Sequence, residues 1–517
     1  MQFIHTLNIL IKKNYILVIL TLSFSVIITY LSWNNSLNER FSDEINHFIA
    51  GTLWLSGYIP YQDIQLNHQP LNYILSAIVS ELYKTDIIFR YVTIMRIAVA
   101  FYSIFWILLL VIKKKWSAVL FAVIFEFYKY NFGGYKLLGE TLAVYPLIYI
   151  LSVFYDLFLH KNVKISILTL LITSVAFFVA TFSLLPLWPV LFIIYGLFIF
   201  KFRKNFKNIL FLSLPALILS FLLFTIIPFS QWLNDTVIYS LKYFIPINKE
   251  ALYTPTDIIT MPLKAFLPPY NIIKLIMILT IFSLTISAWC LIKKKNVSLL
   301  VIFITLLFLS NSRDGNDSFS GFHLAPWIGI LFFSAVSFYE YILNSKSLKI
   351  KIIQTVIFTI IIFLNFMSIL RFIAPRDKLN DYYIGYSESL SYSNALKAIS
   401  KQNDRVLVFP NDPLIYVFSG IEPATKLTEY YSWVYPIPEY YKDVYGIFDK
   451  PPEFVVDTGI NNLNKLDLLI STNLQKNYKP LKHLDNKSRI YIRNDRIEKI
   501  SEAEWEKLSN ALFFKPE

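Results

Sequence analysis

The stretch Arg40-Phe41-Ser42-Asp43-Glu44, followed after a short amphipathic run by Asn67-His68-Gln69-Pro70-Leu71-Asn72-Tyr73, decides how the chain is read. Both pieces lie in a polar loop, residues 33–87, pressed between two stretches apolar enough to cross a bilayer. Ser42 can cap a helix running to about Ser56, with Asp43 and Glu44 in its first turn. Ile45, Phe48, Ile49, Thr52 and Leu55 then share one face, which suits a helix lying on a membrane surface with that face down. Pro70 opens a second such helix, running to about Tyr83. Adjacent carboxylates beside a first span are where a membrane enzyme can place a catalytic base. A first helical turn also favours acidic residues merely because they complement the helix dipole.

The rest of the composition agrees with a membrane setting. Of 517 residues, 56% are hydrophobic and 17% aromatic, which excludes a disordered or ordinary soluble chain. The net charge of +13 does not call for nucleic acid, because the basic residues cluster in short blocks between apolar runs. One cysteine, Cys290, lies inside an apolar run, so no intrachain disulfide can form. The first apolar segment lacks a small-residue cleavage site and is expected to be a retained helix.

A span needs about 20 apolar residues. Eleven candidates occur, near Tyr15–Leu31, Ile88–Ile112, Ser117–Phe132, Thr141–Leu159, Ile165–Phe182, Leu184–Phe200, Ile209–Ile227, Ile272–Ile292, Val297–Ser310, His323–Leu343 and Ile352–Ile373. The basic blocks, among them Lys12-Lys13, Lys113-Lys114-Lys115 and Lys293-Lys294-Lys295, fall in alternate connections. The positive-inside rule then puts the N-terminus in the cytoplasm and residues 33–87 outside. After Ile373 the chain turns polar. Asn394–Ser400 reads as helix, and Arg405–Pro410, Glu453–Asp457 and Arg489–Arg493 read as strands. The expectation is a polytopic α-helical membrane domain of about eleven transmembrane helices over residues 1–373, followed by an extracytoplasmic α/β domain over 374–517.

Glu39–Glu44, the turn Gly57-Tyr58-Ile59-Pro60-Tyr61 and His68–Tyr73 together resemble the first loop of the GT-C glycosyltransferases, of the protein O-mannosyltransferase-like and lipid A aminoarabinose transferase-like bacterial kind. The segments Tyr135–Thr141 and Arg313–Pro326, and the tail from Arg405 to Gly420, resemble further parts of these enzymes. One departure stands out: the residue before the proline pair is Gln69 rather than lysine, and the second proline is Leu71. The resemblance implies inverting transfer of a sugar from a polyprenyl-phosphate carrier to an acceptor hydroxyl at the outer face of the cytoplasmic membrane. The implied partners are the polyprenyl-phosphate sugar donor, membrane lipids and a lipid, protein or polysaccharide acceptor. No nucleic acid is among them.

Such a transfer needs a base for the acceptor proton and donors for the leaving phosphate. Asp43 is the candidate base. Glu44 is placed to orient it or to bind acceptor or metal, and Glu140 is a second carboxylate for the same work. For the phosphate the candidates are Arg313, Lys136, His68 and His323, with Arg313 first because guanidinium grips phosphate in a bidentate way. Arg313 can equally pair with Asp314 or Asp317, and Lys136 can snorkel at the interface. Arg96, deep in the second span, must face protein or water. Glu44, His47 and His68 supply carboxylate and imidazole suited to a divalent metal ion, although no tight ligand motif is present. Two other readings stay open: a glycan polymerase or ligase using diphosphate-linked oligosaccharide, and a non-enzymatic lipid-linked sugar transporter or flippase. The first would carry its main arginine-bearing loop late among the spans, and the second would show internal repeats and broken helices.

Overall fold

A computed structural model describes residues 15–38, 40, 42–160, 163–244, 271–293, 297–310, 321–343, 348–373, 386–430, 434, 437–459, 465–483, 489–510 and 512–516. The helices of the first part are α1 (Tyr15–Asn34), α2 (Ser42–Leu55), α3 (Pro70–Leu82), α4 (Ile88–Lys129), α5 (Gly139–Leu159), α6 (Ile167–Ser183), α7 (Trp188–Phe202), α8 (Phe206–Ile226), α9 (Asn271–Ile292), α10 (Val297–Ser310), α11 (Ala325–Leu343) and α12 (Leu348–Ile373). Among the described residues, eight helical stretches are long and apolar enough to cross a membrane, and α6 is a shorter apolar one. The chain is an integral membrane protein.

All eleven apolar segments are helical, but two of them run on as one. The second and third expected spans are both in α4, which breaks at Lys115 (φ 50°, ψ −125°). Side-chain pairing shows that the chain reverses there. Tyr102 donates to the Leu142 carbonyl near the start of α5, and Lys113 and Lys114 both pair with Asp156 near its end. Glu126 then accepts from Tyr145, back toward the start of α5. The connection is a sharp turn with neither glycine nor proline, so α4 is a helical hairpin.

Helices α5 and α11 form the centre of the bundle, with 89% of their spans buried, whereas α8 is 11% buried and presents apolar side chains such as Leu217 and Phe221 outward. That contrast separates helices packed in protein from one left to lipid. Two buried ion pairs lie in or against the bundle: Lys129 with Glu126 at 2.6 Å, and Arg96 with Glu44.

The amphipathic face of α2 is covered by protein rather than by a membrane surface. Ile45, Phe48 and Ile49 are buried in one cluster with Tyr73 of α3, Tyr91 and Val92 of α4, and Leu414 and Phe418 from the C-terminal part. Close packing of α2 on α3 needs a small residue at the crossing. A Cβ on Gly51 would sit 2.5 Å from the Ala77 backbone nitrogen, well inside contact distance.

The C-terminal part folds around a five-stranded sheet. Its strands are β1 (Arg405–Phe409), β2 (Glu422–Pro423), β3 (Phe454–Asp457), β4 (Tyr478–Pro480) and, after a short β5 (Lys482–His483), β6 (Ile490–Arg493). The order is β2-β1-β3-β6-β4, parallel between β1 and its two neighbours and antiparallel on either side of β6. Val406 and Val408 pack on one face under α13 (Ser387–Ile399) and Trp505. Leu407 and Phe409 pack on the other under α14 (Lys465–Asn477). Burial on both faces is why β1 reads as an unbroken apolar run. This unit is tied to the first loop by the Arg40–Asp412 ion pair at 2.6 Å, by Asn46 donating to Glu429, and by the Gln65 N–H donating to the Lys426 carbonyl at 2.9 Å.

Candidate active site

The acidic pair divides its labour. Glu44 is fully buried, and its carboxylate accepts from Arg96 Nε at 3.0 Å and Nη2 at 2.6 Å, and from the Leu137 N–H at 2.9 Å. Arg96 also donates through Nη1 to the Ser36 carbonyl at 2.7 Å and lies over the Tyr135 ring at 5.5 Å. One buried ion pair thus joins the end of α1, the head of α2, α4 and the loop before α5. Asp43, the preceding residue, is only partly buried and lies one turn from His47, on which its charge acts.

His47 is enclosed. Its Nδ1 lies 2.7 Å from the Leu137 carbonyl, so Nδ1–H donates and the lone pair sits on Nε2. Burial, helped by the neighbouring His68, pushes its pKa down to about 4, so the ring is neutral at physiological pH. The His68 ring meets it edge-on at 4.8 Å, and Tyr73 at 5.6 Å. The His68 backbone is fixed on both sides: its N–H donates to the Tyr73 hydroxyl at 3.1 Å, and its carbonyl accepts from Tyr61 at 2.7 Å.

Glu140 enters from the first turn of α5 and is nearly buried, with Oε1 2.7 Å from His323 Nδ1. Gly139, just before it, packs so tightly that a Cβ would run into the Ser183 carbonyl, with Asn72 Nδ2 at 3.4 Å. Lys136 is buried rather than snorkelling, its amine folded back toward Gly133. Asp43, Glu44, His47, His68, Lys136, Glu140 and His323 therefore gather at one end of the bundle. Arg313 lies outside the described residues.

The three residues put forward for a metal ion do not make a ligand set. Glu44 is turned onto Arg96 and Leu137, and among the described residues no three His, Cys, Asp or Glu side chains converge as a metal site would need.

Sequence reasoning missed the role of Arg96, whose depth was the available signal. It also missed a group of neutral polar side chains, Gln69, Asn72, Thr141 and Ser183, which are buried beside the histidines and Gly139. The signal for Asn72 and Gln69 was their polarity on the inward face of an otherwise apolar helix start.

No family model matches the chain, and no curated protein matches it. Solved structures do. ArnT from Cupriavidus metallidurans bound to undecaprenyl phosphate superposes with a TM-score of 0.55 at 11% identity, covering 92% of this chain and 97% of that one. The apo state of the same protein has the same identity and coverage and a TM-score of 0.48. At this identity the likeness is one of fold. The chain has a GT-C-like fold, the likeness extending over 92% of its length.

Proposed function

We propose that this protein transfers a glycosyl group from a polyprenyl-phosphate-linked sugar to an acceptor hydroxyl, at the outer face of the cytoplasmic membrane. The observation that carries the reading is the partly buried Asp43 at the head of a helix pinned by a buried ion pair, sharing His47 as a neighbour with the His323-bound Glu140, within a fold shared over 92% of the chain with a protein crystallised with undecaprenyl phosphate.

In the proposed step the acceptor oxygen attacks the anomeric carbon. Asp43 takes the acceptor proton, and the bond from that carbon to the phosphate oxygen breaks with its electron pair going to the leaving polyprenyl phosphate. The single displacement inverts the anomeric centre. A base in place contributes roughly 10²–10⁴ to the rate. Glu44, spent on Arg96, is a positioning residue that fixes the direction in which Asp43 projects. Lys136, His323 and His68, together with Arg313, are the candidates to meet the developing phosphate charge. His47 is neutral and cannot serve as a cation there. Glu140, held by His323, is suited to sugar hydroxyls or to placing the acceptor. No step is routed through a metal ion.

The test incubates purified protein with a panel of polyprenyl-phosphate sugars and measures release of polyprenyl phosphate. Wild type should release it, and Asp43→Asn should be slower by at least about a hundredfold. Equal release by Asp43→Asn removes that residue from the base role. No release from any donor removes the transferase reading.

A further inference from the structure

Buried polar groups in folded proteins almost always have partners, so a local concentration of orphans needs an explanation. Here five occur together. Both amide atoms of Gln69, both of Asn72, the Thr141 and Ser183 hydroxyls and His47 Nε2 are buried and have no hydrogen-bond partner among the described residues. Their residues are at most 5% exposed. They also converge from different elements. Gln69 and Asn72 flank Pro70 at the start of α3, Thr141 is in the first turn of α5, and Ser183 ends α6. The Asn72 amide and the Ser183 backbone both close on Gly139, while His47 meets the segment through His68.

Leaving so many groups unmet would cost about 1–3 kcal/mol each, far more than the fold gains from having amides there rather than leucines. The chemistry of the set is specific. Two carboxamides each present a donor beside an acceptor, two hydroxyls can do either, and the imidazole nitrogen accepts. None of the five is charged. Of the two carboxylates whose charge reaches His47, Glu140 is engaged by His323, and Asp43 is the one assigned to the acceptor proton. A charged ligand group would therefore gain no free counter-charge from this set, whereas vicinal hydroxyls match it donor for acceptor.

We infer that Gln69, Asn72, Thr141, Ser183 and His47 form the subsite for the sugar ring of the donor, and that this sugar is a neutral polyhydroxylated one rather than a cationic amino sugar or an anionic uronic acid. The inference rests on the transferase reading above and specifies its substrate. It also gives Gln69 a use: in place of a lysine aimed at phosphate, the position offers a neutral amide to the sugar.

The test uses the full-length protein in detergent with short-chain prenyl phosphates bearing glucose or mannose, the same carrier bearing 4-amino-arabinose or glucuronic acid, and the bare carrier. Binding is read as a shift in melting temperature, and turnover separately as release of prenyl phosphate. Wild type should bind the neutral-sugar lipids at least about tenfold tighter than the charged ones, a difference of about one lost hydrogen bond. Asn72→Leu and Thr141→Val should melt no lower than wild type, since they delete groups without internal partners. They should still bind the bare carrier, and lose about tenfold in affinity for the neutral-sugar lipids. Two results overturn the subsite: variants that melt lower but bind like wild type, which makes the groups structural, or a wild-type preference for a charged sugar. Ser183→Ala repeats the test should Asn72→Leu fail to fold. Neutral-sugar binding without any release of prenyl phosphate would support the subsite and remove the transferase reading.

Discussion

Asp43 and Glu44 are neighbours in sequence and unlike in circumstance, because a helix turns successive side chains about 100° apart. Glu44 points inward and meets Arg96, whereas Asp43 is left at the edge of the cluster. The sequence made the pair visible and could not divide it, since either residue can face inward until the partner is known. That partner is 52 positions away. The division has a measurable consequence. Removing one member of a buried ion pair leaves the other charge uncompensated, at a cost of about 3–5 kcal/mol. Glu44→Gln and Arg96→Met should each lower the melting temperature sharply, and the double variant should lose clearly less than the sum of the two. Asp43→Asn should abolish most turnover. A Glu44→Gln protein that melts like wild type would show that the pair does not hold the head of α2.

At the scale of elements, periodicity located α2 and α3 to within about two residues but not what covers them. The stripe Ile45, Phe48 and Ile49 reads the same whether its cover is lipid or protein, and the cover here includes Leu414 and Phe418, more than 350 positions downstream. The hairpin at Lys115 was legible as two spans because three lysines interrupt the apolar run. Less legible was the segment after α8, where Leu233–Ile238 forms a helical turn bearing Asp235. This carboxylate accepts from the Tyr440 hydroxyl at 2.8 Å and lies near the Leu66 backbone, so it joins the first loop and the C-terminal unit. Burial raises its pKa to about 6, against an ordinary 3.8. A raised carboxylate pKa means that the folded state favours the protonated form. Its contribution to stability is therefore complete below about pH 3.8 and lost as pH rises through about 6. Asp235→Asn mimics the protonated form. It should melt higher than wild type at pH 8, by the equivalent of up to about 3 kcal/mol, with the gap closing by pH 4. A gap that is constant across that range would assign the effect to something other than titration.

At the scale of the whole molecule, the site is assembled from both parts of the chain. The bundle supplies Arg96, Glu140 and His323, and the C-terminal unit holds the loop that carries Asp43 through Arg40–Asp412 and through Phe418, whose ring meets Tyr91 at 5.6 Å. Where the C-terminal unit sits, the chemistry sits too, so one experiment on sidedness bears on both. The basic blocks argue that Lys113 and Lys114, at the opposite end of α5 from Glu140, lie in the cytoplasm. The proposed donor reaction requires the other end to be outside. Gln62 is exposed in the first loop, and His160 is exposed at the end of α5 beside the lysines. In a Cys290→Ser background, cysteine at position 62 should react with a membrane-impermeant maleimide on intact cells, and cysteine at 160 should react only after the membrane is opened. The reverse pattern would put Asp43, Glu140 and the whole C-terminal sheet in the cytosol. The outer-face reaction would then fall, although the ion pairs and the polar subsite would be unchanged.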